Sequence, residues 1–292
     1  MISFLSVIVK KRFSLESQLA PKNENLILIG FQIFEQVGAA TFVVPKGITE
    51  VRVAVVGGGG GGANGHSGGG GSGRVTIGTL KVTPEESISL KVGGAGLGAA
   101  AQVSSNIIRG SSAGGESSFK SLTAPGGTTP VEVDGRAKDG ASGGSGGAAG
   151  GPACDANLRG GTGGLKGADC KTIASQQTGN YAGLGGAGQG DYTGLLSTFK
   201  LNTLTAGVGG LRSSANVRAN GATWSGGGGG GGILIDSKGP KGQNGAHTKN
   251  GSEGGNGYGG GGGGGGLDDY PGQEKRHKGG DGASGVVYVE WG

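Results

Sequence analysis

Val51-Arg52-Val53-Ala54-Val55-Val56 runs straight into Gly57-Gly58-Gly59-Gly60-Gly61-Gly62. The first half alternates, placing Val51, Val53 and Val55 on one face, the pattern of a strand with a buried side. The second half has no side chain to bury. The same contrast returns at residues 68–71, 226–232 and 259–266, within a total of 77 glycines in 292 residues. Runs of this kind cannot build a hydrophobic core, so backbone must pack on backbone. The extended three-fold helix of the polyproline II type permits that, with three residues per turn and a rise of about 3.1 Å. Its N–H and C=O groups then pair with neighbouring helices, as buried backbone polar groups require.

Working outward, residues 31–56 supply strands around Phe31, Ile33 and Thr41-Phe42-Val43-Val44, with Pro45-Lys46-Gly47 as a tight turn. Residues 74–83 read as a long strand in which Gly78 suits a bulge. Pro84-Glu85-Glu86 turns the chain, and residues 87–92 are expected back as the hairpin partner of 74–83. Ser118-Phe119-Lys120 and Leu122-Thr123-Ala124 add a weaker strand. The closing run Val286-Val287-Tyr288-Val289-Glu290-Trp291 needs a partner to avoid an exposed edge, and is expected beside residues 51–56. Between them lies a long excursion in which glycine tracts alternate with polar stretches such as 173–181, 192–204 and 267–278. A seven-residue tract would span about 22 Å, with the polar stretches gathered as loops at the rod ends, where binding usually sits.

The fold expected is therefore all-β: a β-sandwich closed by the C-terminal strand, with the excursion packed as a polyglycine II helix bundle. The units expected are residues 1–29 as an N-terminal attachment segment, 30–130 plus 279–292 as the sandwich, and 131–278 as the bundle with variable loops. Disorder is the competing reading of so much glycine, but charged residues are only 15% and the net charge is +5, so self-repulsion does not hold the chain open. Collagen fails because glycine does not recur every third residue and only 8 prolines are present.

Chemistry-bearing motifs are sparse. The glycines after residues 51–56 match a dinucleotide fingerprint trivially, but no helical stripe and no G-K-[ST] follow. The acid pairs Asp268-Asp269 and Glu85-Glu86 point to opposite sides of an extended chain. His66, His247 and His277 stand alone and no C-x-x-C exists, so no metal, cofactor or catalytic residue is expected. Cys154 and Cys170 permit one bridge or two free thiols. Residues 4–9 are apolar but short, and Lys10-Lys11-Arg12 follows rather than precedes them, against the order of an export signal. Basic clusters at Lys10-Lys11-Arg12, Lys238/Lys241 and Lys275-Arg276-His277-Lys278 read as solubilising charge or, for the last, as a contact for an anionic surface. Arg159-Gly160-Gly161 is a single copy, so nucleic-acid binding is not expected. Aromatic residues of the excursion have no place inside a glycine bundle and are expected on loops or capping rod ends. Tyrosine and tryptophan suit recognition, and the candidate receptor-binding residues are Tyr181, Tyr192, Trp224, Tyr258, Tyr270, Arg276 and His277.

Residues 42–62, from Phe42-Val43-Val44-Pro45-Lys46-Gly47 to the glycine run, resemble the opening of the glycine-rich domain of bacteriophage tail and tail-fibre proteins. Residues 73–83, Val92-Gly93-Gly94-Ala95-Gly96, Gly115-Glu116-Ser117-Ser118-Phe119, Ala124-Pro125-Gly126-Gly127 and 282–291 continue the likeness. The layout of the excursion is similar to the adhesins at the tips of T-even-like phage long tail fibres, which set hypervariable loops on polyglycine helices. The resemblance implies a virion tail component, made in the host cytoplasm and released with the particle. Its expected partners are a bacterial surface receptor (outer-membrane protein or lipopolysaccharide) and, through residues 1–29, a tail-fibre or baseplate protein. Homo-oligomerisation is common in fibre proteins, though no threefold repeat marks it here. It implies no catalytic residues. The alternative is a purely structural virion component, a spacer or assembly interface without a host ligand. A hydrolase acting on surface polysaccharide is the enzymatic competitor.

Overall fold

The computed structural model describes residues 6–8, 29–65, 68–103, 111–130, 193–210, 216–218, 221–224, 228–245, 252–265, 267–270 and 273–292. In chain order the strands are β1 (Ser6–Ile8), β2 (Ile29–Phe34), β3 (Gly38–Val43), β4 (Glu50–Val56), β5 (Val75–Lys81), β6 (Ser87–Val92), β7 (Gln102–Val103), β8 (Ser117–Phe119) and β9 (Leu122–Ala124). One helical turn, α1 (Thr193–Leu196), precedes β10 (Leu204–Ala206), β11 (Asn216–Arg218), β12 (Gly221–Trp224), β13 (Ile233–Ile235), β14 (Leu267–Tyr270), β15 (Gln273–Arg276) and β16 (Val286–Trp291). Among the described residues the fold is all-β with almost no helix, in antiparallel sheets ordered β1-β2-β16-β4-β5, β3-β6-β8-β9, β11-β12-β14-β15-β7 and β10-β13.

The valine alternation read from the sequence decides the core. Val51, Val53 and Val55 of β4 meet Val287, Val289 and Trp291 of β16, and across from them lie Phe42, Ile88, Leu90 and Phe119 of the second sheet. Phe42 is the hinge of this layer, its ring centroid 5.8 Å from Phe119 and 5.7 Å from Trp291. Each such side chain contributes about 1.5–3 kcal/mol by leaving water. The alternate residues Ala54, Val56, Val286 and Tyr288 face the other way, and a second layer covers them. β16 is accordingly buried along its whole length. It pairs with β4 from Val286↔Val56 to Glu290↔Arg52 and with β2 on its other side, the place beside residues 51–56 that its apolar sequence demands.

Two expectations are corrected. Residues 87–92 are not the hairpin partner of 74–83: β5 pairs with β4, and β6 pairs with β3 in the other sheet. The turn explains it. Glu86 N donates to Thr83 O at 3.1 Å while Glu85 sits at φ 66°, and the chain leaves that turn into the second sheet. Nor is Gly78 a bulge, since the β4–β5 register passes through Val53↔Gly78 without interruption. Its missing side chain makes room for Leu122, both of whose methyls would lie 3.0 Å from an added Cβ. The turn at Pro45-Lys46-Gly47 is as read: Ile48 N donates to Pro45 O at 3.1 Å, with Gly47 at φ 82°, the type II geometry that favours glycine at its third position.

Beyond β4 the glycines hydrogen-bond in a fixed rhythm. Gly57 N and Gly60 N donate to Arg74 O and Gly71 O, Gly58 N and Gly61 N to Gly115 O and Ser112 O, and Gly59 N and Gly62 N to Ala283 O and Gly280 O, all at 2.9–3.0 Å. Each neighbouring segment is thus met at every third residue, running antiparallel. A Cβ at any position from 57 to 62 would fall 2.0–2.3 Å from a carbonyl oxygen of a neighbour. Only glycine fits such an approach. The network continues outward, with Gly70 N on Gly262 O, Gly261 N on Gly230 O and Gly230 N on Gly70 O. These bonds tie the excursion to the glycine runs that follow the sheet strands.

Candidate functional site

The second apolar layer is built by the excursion itself. Leu196 and Phe199, from α1 and the turn after it, join Leu204, Ile233, Ile235 and Tyr258 against Ala54, Val56, Val75, Val286 and Tyr288. Phe199 stands edge-on to Tyr288, with ring centroids 5.3 Å apart, and the Arg52 guanidinium lies 5.8 Å above the Phe199 ring. The same guanidinium donates through Nη1 to Thr198 O.

Glu290 anchors this loop. Its carboxylate accepts the backbone N–H of Lys200 at 3.0 and 3.1 Å and that of Leu201 at 2.9 Å. The Tyr288 hydroxyl is 3.0 Å from Glu290 Oε2 and 2.9 Å from Asn202 Oδ1, one proton between two acceptors. Burial, and then the Glu290 carboxylate, push the Tyr288 hydroxyl above the usual tyrosine range. A carboxylate so fully engaged holds structure.

Beside Glu290 opens a pocket of 170 Å³ lined by Glu50, Arg52, Thr79, Lys200, Glu290, Trp291 and Gly292. Glu290, Arg52 and Thr79 stand in register across β16, β4 and β5, so they point to the same face. Strand alternation sends the neighbouring Trp291 indole into the inter-sheet core. The pocket offers a hydroxyl, carboxylates and cations, with Trp291 also in its wall. Such a lining suits hydrogen bonding to a polar ligand rather than apolar capture.

The candidate recognition residues are scattered. Tyr181 and Tyr192 lie outside the described residues, as do Cys154 and Cys170. Trp224 and Tyr270 fall on the neighbouring strands β12 and β14, where Trp224 pairs with Leu267 and Ala222 with Asp269. Tyr258, Arg276 and His277 are buried, at 7%, 1% and 8% exposure, instead of standing on loops. For Arg276 the reason is spatial, since the missing side chain of Gly65 leaves room for it, whereas Tyr258 is covered as part of the second apolar layer. The Tyr258 hydroxyl donates to Glu35 beside β2; burial first and this bond second raise it above the usual tyrosine range. Arg276 runs over Gly65, whose added Cβ would meet Nη1 at 2.8 Å, and His277 O accepts Gly65 N. None of the three lines the pocket. Nothing in the sequence singles out Arg52, whereas a lone glutamate, Glu290, inside an otherwise apolar closing strand is a visible sign, and Phe199 is expected with the other aromatics of the excursion on loops or capping rod ends.

The glycine run after β4 is no phosphate cradle, because its N–H groups from 57 to 62 all go to backbone carbonyls. Among the described residues no helix is long and apolar enough to cross a membrane. A family model described as a glycine-rich domain matches residues 35–292. Comparison with curated proteins gives no match.

Proposed function

We propose, for a chain that belongs to the glycine-rich domain family, the role of a bacteriophage tail adhesin that binds a bacterial surface molecule without breaking a bond. The two sheets form a sandwich that the C-terminal strand closes, and the glycine segments form a polyglycine II bundle beside it. The observation that carries this reading is the hydrogen-bond rhythm of residues 57–62, in which the same neighbour returns every third residue. That is the period of the polyproline II type helix. A scaffold held by backbone alone leaves the side chains of its connecting segments free for variation, which is what recognition of a changing surface requires. Receptor contact is assigned to Tyr181, Tyr192, Trp224 and Tyr270, with Lys275 as an exposed cation at the strand before Arg276. Tyr258, Arg276 and His277, which are buried, belong to the scaffold in this reading. The receptor class is an outer-membrane protein or lipopolysaccharide, and residues 1–29 make the join to fibre or baseplate.

The test is adsorption of the purified, labelled protein to a panel of bacterial cells that includes the host. Saturable binding that blocks infection supports the adhesin. Absence of binding across that panel overturns it in favour of a structural virion component. One observation favours that second reading: the burial of Tyr258, Arg276 and His277 gives these residues to the scaffold.

A further inference from the structure

Edges of β-sheets carry unpaired N–H and C=O groups that template the addition of another strand, and proteins guard them with lysine, proline, bulges or a covering segment. The two large sheets of the core treat their edges unequally. β2 carries β1. β5 and β9 close on each other, with Arg74 N donating to Pro125 O at 2.9 Å and Thr76 Oγ1 to Thr123 O at 2.6 Å. Among the described residues β3 has no such cover: it pairs only with β6, from Gly38↔Val92 to Val43↔Ser87, and no backbone bond to another described segment leaves residues 38–43.

None of the usual guards is present either. The strand reads Gly38-Ala39-Ala40-Thr41-Phe42-Val43, without charge or proline, and its register with β6 is unbroken, so there is no bulge. Phe42 points into the core, which sends Ala39, Thr41 and Val43 to the outer face. Val43 is 58% exposed and Val37, at the strand entrance, 53%. An uncharged, regular, open edge is the geometry of strand addition.

The charges at its ends indicate the occupant. Glu35, exposed although one of its carboxylate oxygens accepts the Tyr258 hydroxyl, precedes the strand, and Lys46 follows it. A second β3 laid antiparallel brings each acidic end near the other copy's basic end, whereas a parallel one sets like against like. A twofold axis through Thr41, perpendicular to the sheet, keeps both core faces on the same side. Thr41 then faces Thr41, and Ala39 faces Val43, uncharged pairs of the kind that stabilise adjacent strands. We infer that the free edge of β3 pairs antiparallel with β3 of a second copy of this chain, joining two four-stranded sheets across a self-complementary twofold interface. The inference is independent of the receptor reading.

The test is the mass of the purified full chain in solution by sedimentation over a range of concentrations, with Thr41→Lys and Val43→Lys as variants. Both positions are exposed in the single chain, so the variants should keep the wild-type circular dichroism spectrum. The expected result is a reversible dimer whose dissociation constant rises about tenfold or more in each variant, since Thr41→Lys sets two ammonium groups directly opposite. In a background with Cys154→Ser and Cys170→Ser, Thr41→Cys should cross-link to a dimer on mild oxidation. A wild-type chain that stays monomeric, including one that instead binds a strand of a different protein, overturns the inference. So does a dimer indifferent to both lysines, or a Thr41→Cys variant that fails to cross-link.

Discussion

A methyl group at Gly60 would stand 2.1 Å from Thr128 O, whereas one at Gly94 would meet only the Val37 Cγ1 methyl, at 3.3 Å. The first obstacle is hydrogen-bonded backbone and the second a movable side chain. Gly60→Ala should therefore cost about 3 kcal/mol or more, as overpacking of a rigid site does, while Gly94→Ala stays within about 0.5 kcal/mol; urea denaturation of both variants measures the difference. Tyr288 supplies a pH-dependent counterpart. Its folded-state ionisation is raised by burial and by Glu290, so its contribution is intact below the ordinary tyrosine value of about 10. It is lost as pH climbs beyond that toward the folded value, because only the unfolded chain then gives up the proton. Unfolding free energy should fall with rising pH in the alkaline range, and Tyr288→Phe should flatten that slope while costing about 1 kcal/mol at neutral pH. Not all of this was readable residue by residue. The face assignments of Val51, Val53 and Val55 follow from alternation alone, but the burial of Arg276 depends on the space over distant Gly65 and that of Tyr258 on the apolar layer packed over β16.

Among the elements, β16 was legible and the β5–β6 relation was not, for a physical reason. Period-two alternation fixes which face of a strand is buried, and an apolar closing strand has to lie where both its faces are covered. Neither rule says which sheet the next strand joins. That choice rests on the turn at residues 83–86, where Glu85 adopts φ 66° and the Glu86 side chain accepts Thr83 N at 3.0 Å. The segment over the outer face of β16 was equally hidden, because its anchors are single residues far apart in sequence: Phe199 on Tyr288, and Glu290 under the N–H groups of Lys200 and Leu201. Phe199 is 6% exposed whereas Leu195, one helical turn earlier, is 47% exposed. Phe199→Ala should cost about 3 kcal/mol or more and release the segment to limited proteolysis near residues 193–204. Leu195→Ala should change stability by less than about 0.5 kcal/mol. Equal effects from the two would mean that the segment does not dock as a layer.

For the molecule as a whole, composition left two states open, a disordered glycine-rich chain and an ordered bundle. Mean composition could not decide between them, because both need the same residues. Nor could the runs themselves reveal their neighbours. One glycine tract is chemically identical to another, so the approach of residues 57–62 to 71–74, 112–115 and 280–283 is set by the strands and turns at their ends. The distinction is nevertheless large in one observable. In a disordered tract every glycine N–H is open to solvent, and exchange proceeds at the free-peptide rate. In the structure the N–H groups of residues 57–62 are held at 2.9–3.0 Å by carbonyls of three other segments, and they are as buried as β4 before them. They can exchange only when those segments separate. Because glycine segments run on from β4 and β6 and lead into β16, and because Tyr258 at the head of residues 259–265 belongs to the layer packed on β16, separating them should require opening the sheets as well. Amide hydrogen exchange of the native protein should then show residues 57–62 and 259–265 protected to the same degree as 51–56, with all three losing protection together as urea is raised. Free exchange of the glycine amides alongside a protected β4 would mean that the sheets fold without the bundle, and with it would go the rigid scaffold that the adhesin reading needs.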